Sequence, residues 1–283
     1  MQSQWNNRFL LLPATAWLLV MLVLPLMVVV VFSFGERGPA GGYVPAFTLA
    51  QYANLPARLT AFKNTLLLAP LGTLLCLLVA FPLAYYLAVK VSPKWKTLLL
   101  VMIIVPFWTS ILIRTYAWIF ILGGQGLPKL LEFIGIDGVR MINTRFSVLT
   151  GIVYGYMPLM VFPIYVSLEK LDKRLLEAAA DLGSSPFRVF RNITLPLSIP
   201  GIATGCILVF IYLMGEFLIP AFLGGGKVFF IGNALVDLFL QSRNWAYGSA
   251  VAMTLVIIML ITISLYMKLI MRYSNQRKDV SML

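Results

Sequence analysis

The sequence contains no histidine. That removes the commonest general base and the commonest metal ligand together, and argues against an intramembrane hydrolase. Charge is scarce as well. Only 11% of the 283 residues are Asp, Glu, Lys or Arg, far below the roughly 25% of a soluble domain. There are two cysteines, Cys76 and Cys206, both inside apolar runs, so two buried thiols are expected rather than a disulfide. No G-x-x-x-x-G-K-[ST] phosphate loop occurs, so the chain carries no nucleotide-hydrolysis site of that kind. No internal repeat and no low-complexity linker is present.

What remains is apolar. The sequence is 60% hydrophobic, and its mean hydropathy is +0.92. This composition predicts an all-α membrane protein, a single transmembrane domain over 1–283 with no room for a sizeable soluble domain. The net charge of +12 does not point to nucleic acid. The basic residues gather between apolar runs, where topology explains them, and no basic patch interleaved with aromatics is present.

A helix needs about 20 apolar residues to cross the hydrocarbon core. The charge-free runs are Phe9–Gly35, Asn64–Val89, Thr97–Ile113, Phe146–Leu168, Asn192–Gly215 and Asn244–Met267, and the third continues past Arg114 to Leu122. Six transmembrane helices are therefore expected. The first run is too long for a signal-peptide core of about 7–15 residues and is read as a retained span. Thirteen Lys and Arg fall on the side of both termini, among them Arg8, Lys96, Lys173, Arg272, Arg277 and Lys278, against eight on the other side. The excess places both termini in the cytoplasm. Prolines recur within the spans at 13, 25, 70, 82, 106, 158, 163, 200 and 220, and each frees a carbonyl and favours a kink. Gly151-x-x-x-Gly155 and Gly201-x-x-x-Gly205 suit close helix packing. Between the spans, Leu127–Ile136 suits a short surface helix, and Val228–Gln241 a half-inserted or surface one.

The loop from 169 to 196 carries the most specific pattern. Leu171–Leu182 is rich in helix formers and is followed by Gly183, suited to end the helix as its C′ residue. Ser185 suits an N-cap and Pro186 the first position of another helix. Phe187, Phe190 and Ile193 then form an apolar stripe, with Arg188 and Arg191 on another face. The excess of positive charge puts this elbow in the cytoplasm. Within it, Glu177-Ala178-Ala179, Gly183 and Ile193-x-Leu195-Pro196 stand at fixed spacing. That spacing resembles the coupling ("EAA") loop of ABC importer permeases. The resemblance implies that a short helix docks into an ATPase subunit through Glu177, Ala178, Ala179, Asp181, Gly183, Ser185, Pro186, Phe187 and Arg188.

Further residues narrow the resemblance. Pro106-Phe107-Trp108-Thr109-Ser110, Leu112-Ile113-Arg114-Thr115-Tyr116-Ala117-Trp118, Glu169-Lys170-Leu171-Asp172, Gly215-Glu216-Phe217-x-Ile219-Pro220 and Leu223-Gly224-Gly225 are similar to the spermidine/putrescine permease family. Where that family's Asp-Trp-Pro is expected, this chain has Asn244-Trp245-Ala246. The resemblance implies a type I (MetI-like) permease fold in a bacterial inner membrane. It also implies a second, paralogous permease as heterodimer partner, two ATPase subunits carrying ATP and Mg, and a periplasmic substrate-binding protein. No cofactor is expected in this chain. Polyamines are the expected cargo; relatives of this kind also carry opines, phosphonates, sulfate or ferric iron.

A polycation should pass between carboxylates and aromatic faces. Glu216 is the one carboxylate inside a span, which makes it a functional candidate. Tyr116, Trp118, Tyr156 and Trp245 could supply ring faces, and Asp237 an outer carboxylate. Arg114 lies 18 residues after Lys96 and Glu216 lies 20 after Pro196, depths of about 27 and about 30 Å on straight helices. The two are read either as a mutually neutralising pair or as a site in which Glu216 meets the cargo. A self-sufficient secondary transporter would need inverted repeats or an ion relay, and one Glu with one Arg makes a poor relay. A membrane enzyme would lack almost all catalytic equipment.

Overall fold

The computed structural model of the protein describes residues 2–280, with side chains for all but 2–11, Lys173 and 271–280. Arg8, Lys173, Arg272, Arg277 and Lys278, counted above for orientation, lie outside the described side chains. The chain is helical almost throughout. In hydrocarbon a helix is one of the few ways to satisfy every backbone group. A two-stranded antiparallel ribbon, β1 (Glu36–Arg37) with β2 (Tyr43–Val44), interrupts it.

The chain gathers into two compact units. One comprises residues 1–59 and 234–261. It holds α1 (Gln2–Ser33), the ribbon, α2 (Ala50–Ala53) and the first part of the last helix. Over Leu12–Ser33 no part of the apolar window is buried within the protein. Around the ribbon, Tyr43 stacks on Phe32 at 4.1 Å, and Phe34 on Phe47 at 5.3 Å.

The other unit comprises residues 60–233 and 262–283. In chain order it holds α3 (Leu59–Tyr85), α4 (Pro93–Trp108), α5 (Ile111–Leu122), α6 (Leu127–Phe133), α7 (Arg145–Glu169), α8 (Lys173–Asp181), α9 (Pro186–Val189), α10 (Leu195–Met214) and α11 (Leu218–Leu223). Then come α12 (Ile231–Val236), which straddles the boundary between units, and α13 (Trp245–Val280), whose last part returns here. Its core lies between α7 and α10. A Cβ on Gly201 would stand 2.5 Å from the Pro163 carbonyl oxygen and 2.6 Å from the Ser167 Cβ. One on Gly205 would stand 2.7 Å from the Met160 sulfur. The second small-residue motif therefore lets α10 press onto the α7 backbone. The first does something else: Gly151 seats the side chains of Ile219 and Leu223 from α11.

Among the described residues five helical segments are long and apolar enough to cross a membrane: Leu12–Ser33, Leu55–Lys90, Arg145–Glu169, Pro186–Met214 and Trp245–Ile270. The sixth expected span is not one straight helix. α4 and the segment Ile111–Phe133 meet at a bend of 90°. Pro106 denies the Met102 carbonyl its usual donor. Thr109 and Ser110 then turn extended, at ψ 149° and 133°, and the Thr109 hydroxyl donates to the Pro106 carbonyl at 2.7 Å. Most other prolines sit inside continuous helices. The surface helix expected over Leu127–Ile136 is α6, with Leu130 and Phe133 exposed. The interrupted run Val228–Gln241 is a short helix, Ile231–Gln241, that ends in a π-helical turn.

The glycine contacts predict unequal outcomes. Gly201→Ala forces a backbone shift and should cost about 1–3 kcal/mol of stability. Gly155→Ala meets only Ile219 Cδ1 at 3.5 Å and should be near neutral. Thermal unfolding of the two variants in detergent checks this; equal midpoints would contradict the packing.

Candidate functional site

The α7–α10 connection folds as a capped helix on an aromatic anchor. The Asp172 carboxylate accepts from the Arg174 N–H at 3.0 Å and so fixes where α8 begins. At the other end the Gly183 N–H reaches the Ala180 carbonyl at 2.9 Å and the Ser184 N–H reaches Ala179 at 3.0 Å. This is a Schellman closure, with Gly183 at φ +75°. Nothing lies within 4 Å of a Cβ added there, so the backbone angle and not crowding demands glycine. Ser185 takes the N-cap position, extended, with no side-chain cap bond, and Pro186 opens α9.

The second helix of the elbow is no separate piece. α9 runs through a π-helical turn, Phe190–Thr194, directly into α10. The wider turn precedes Pro196, whose ring and missing N–H would break a regular ladder. Phe190 packs edge-on against Phe81 at 5.7 Å and Tyr85 at 6.2 Å. The apolar stripe thus divides. Phe190 and Ile193 are half-buried, while Phe187 is 71% exposed. Glu177, Ala178, Asp181, Gly183, Ser185, Pro186 and Arg188 are also exposed, and Ala179 is half-buried. Leu182, absent from the residues singled out by motif, is 86% exposed and joins Phe187 as a large apolar group facing outward. Its place directly before the helix-ending glycine was the available signal.

The second candidate lies where α10 stops. Glu216 is only 6% exposed. One carboxylate oxygen accepts from the Leu218 N–H at 2.7 Å and the Ile219 N–H at 3.1 Å, and so caps α11. The other accepts from the Tyr156 hydroxyl on α7. Tyr212, one turn earlier on α10, leans on Tyr156 with ring centroids 6.0 Å apart. Asn233 braces the same turn. Its amide donates to the Phe217 carbonyl at 2.6 Å, and its oxygen accepts from the Phe230 N–H at 3.1 Å.

The expected alternative of an Arg114–Glu216 pair does not form. Among the described residues the ion pairs are Arg58–Asp237 at 2.7 Å and Lys96–Glu169 at 2.8 Å. The straight-helix depth estimate does not apply to Arg114, because α4 and the segment Ile111–Phe133 meet at a 90° bend. Arg114 instead sits over the Phe107 ring at 5.6 Å, and its Nε has no hydrogen-bond partner. Tyr116 packs on Phe222 at 5.2 Å and Trp118 on Tyr154 at 5.5 Å, fixing α5 against α11 and α7. Asp237 and Trp245 belong to the other unit. Asp237 is tied to Arg58, and the Trp245 indole donates to the Phe239 carbonyl at 3.2 Å and stacks with Phe32. Of the seven pathway candidates, Glu216 and Tyr156 are in direct contact.

A bundle of apolar helices, one of them broken, with a capped helix presented on the α7–α10 connection, defines a type I (MetI-like) ABC importer permease. Residues 80–280 match the family "Binding-protein-dependent transport system inner membrane component", and the chain belongs to it. In this family the chain is the membrane subunit, and ATP is hydrolysed by separate ATPase subunits. It is homologous to the spermidine/putrescine transport system permease protein PotB. It is 39% identical to that of Haemophilus influenzae, with 92% of this chain and 94% of the relative covered. To that of Escherichia coli it is 40% identical, over 88% and 92%. A solved bacterial alginate ABC transporter, in complex with an alginate pentasaccharide-bound periplasmic protein, has the same fold. Its TM-score is 0.78 at 18% identity, with 94% and 93% covered.

The bonding of Glu216 separates its charge from its capping. Glu216→Gln keeps an oxygen for the Leu218 and Ile219 N–H groups and should fold. Glu216→Ala leaves both donors unpaired in a buried place and should cost about 1–3 kcal/mol. Melting of the purified variants checks the order; an Ala variant as stable as the Gln variant would contradict the cap.

Proposed function

We propose that this chain is one of two permease subunits that carry spermidine or putrescine inward across a bacterial inner membrane, with its termini and α8 in the cytoplasm. The observation that carries the reading is the similarity to polyamine permeases, 39% and 40% identical over 92% and 88% of this chain. The alginate transporter shares only the fold and does not bear on the cargo. In this reading a paralogous permease completes the pathway, a periplasmic binding protein delivers the polyamine, and two ATPase subunits grip α8.

The chemistry of the two candidate places supports the assignment. The elbow exposes Glu177 and Asp181 on α8, Leu182 at its end, and Phe187 and Arg188 on α9. An apolar knob with a charged rim suits a protein cleft better than bare solvent. Both ends of α8 are closed by hydrogen bonds, so a push on it moves a rod instead of melting a loop. In the bundle, Glu216 beside Tyr156 and Tyr212 gives an ammonium group a carboxylate and ring faces. A polyamine chain has methylene spacers that can lie on the apolar walls while each amine meets such a group in turn. Two conformations, open to either side, would be exchanged as nucleotide closes the motor.

Reconstitution with the ATPases, the second permease and the binding protein tests the cargo. ATP-dependent uptake of labelled spermidine or putrescine is expected; uptake of another solute with none of either polyamine would overturn the assignment. Glu216→Gln should lower uptake at least tenfold in a complex that assembles normally. Deletion of 177–183 should abolish co-purification with the ATPases, and persistent co-elution would remove α8 as the docking element.

A further inference from the structure

α4 is the most weakly held long helix of its unit. None of its 16 residues is buried, whereas α7 buries eleven, from Ser147 to Leu168. Its far end is released by the extended residues Thr109 and Ser110 and the 90° bend. Its near end is held differently. The Lys96 ammonium donates to both Glu169 carboxylate oxygens, at 2.9 and 2.8 Å, and the Lys96 side chain is only 12% exposed. Among the described residues no other ion pair joins α4 to the rest of the chain.

Glu169 occupies a particular place. It is the last residue of α7, three positions before Asp172, the residue that caps α8. Two residues separate it from that cap, so a displacement of α8 reaches α7 at Glu169. The pair is unequally covered, Lys96 at 12% and Glu169 at 42% exposed, so it joins the two helix ends at the edge of solvent. One ammonium reaching both carboxylate oxygens is a charge-assisted contact that resists separation of the two helix ends.

We propose that the Lys96–Glu169 ion pair is the tie that passes displacement of α8 to α4, and so to the break at Thr109–Ser110. Lys96 and Glu169 are positioning residues that touch neither cargo nor nucleotide. A push on α8 draws on Glu169, Glu169 draws on Lys96, and α4 is displaced as a rod, its far end included. That end carries Phe107, over which Arg114 rests, so the motion arrives beside the segment that packs on α7 and α11 through Trp118 and Tyr116. The proposal rests on the importer reading above.

The test uses the complete complex in proteoliposomes. Lys96→Met, Glu169→Gln and the reciprocal pair Lys96→Glu with Glu169→Lys are compared for ATP hydrolysed per polyamine taken up. Spin labels at Met102→Cys on α4 and Val166→Cys on α7, with Cys76 and Cys206 replaced by Ala, report the nucleotide-dependent distance change between the helices. Each single variant should hydrolyse ATP within twofold of the parent, consume at least fivefold more ATP per polyamine and lose the distance change, and the reciprocal pair should restore both. Single variants that keep the distance change overturn the tie, whatever their uptake. So does a reciprocal pair that assembles yet stays uncoupled. If a single variant fails to assemble, the reciprocal pair alone decides. Absent polyamine uptake in the parent would overturn the cargo assignment, and the distance change would still decide the tie.

Discussion

A backbone surrounded by hydrocarbon has no water to bond, so every interruption of a helix must be repaired from within the protein. Three interruptions organise this chain, and each has its own repair. After Pro106 the Thr109 hydroxyl returns to the Pro106 carbonyl. After Met214 the Glu216 carboxylate takes up two N–H groups of α11, and Asn233 closes the Phe217 carbonyl. After Asp181 the Schellman closure binds the last carbonyls of α8. Thr109, Glu216 and Asn233 stand where helices stop, at the backbone groups that need partners. The candidate pathway residue follows from this constraint, and α8, outside the apolar spans, is closed by the same kind of bonding.

Glu216 illustrates how structure and chemistry share a side chain. A buried carboxylate is tolerable only when hydrogen-bonded, and three donors supply that here. Two of them are backbone groups that cannot leave without unwinding α11. The third is the Tyr156 hydroxyl, a side chain that can rotate away. If the proposed cargo meets Glu216, its ammonium would take the tyrosine's place while the two backbone donors stay. Arg114 rests over the Phe107 ring and forms no ion pair with Glu216.

Much of this was legible in the sequence, for reasons that are local. Apolar runs fix helices, and Gly183 at the end of Leu171–Leu182 fixes where α8 must stop. The N-cap at Asp172 was available to the same reasoning, since an aspartate ahead of a run of helix formers is a start signal. The broken third span was obscured because hydropathy averages over Thr109 and Ser110, although Pro106 followed by two small polar residues carries the signal. The Tyr156–Glu216 contact had no sequence signal. The partners stand 60 residues apart, joined only by the packing of α7 on α10. The expected Arg114 pairing failed for the same reason, because a depth counted along a straight helix is void once the helix bends.

Rigidity and looseness are divided between the helices in a way that suits a driven machine. α7 and α10 meet backbone to backbone at Gly201 and Gly205, and the anchor of Phe190 on Phe81 and Tyr85 extends that rigid body to α9. α8 hangs from this body on short capped connections, with its apolar side chains facing out. α4 has almost no grip of its own. If all helices were packed like α7 and α10, a push on α8 would move the whole protein and change nothing inside it. If all were as loose as α4, the push would dissipate within a turn or two. Internal motion requires a stiff body and one free rod with a defined point of attachment, and the distribution of buried residues along this chain provides that arrangement.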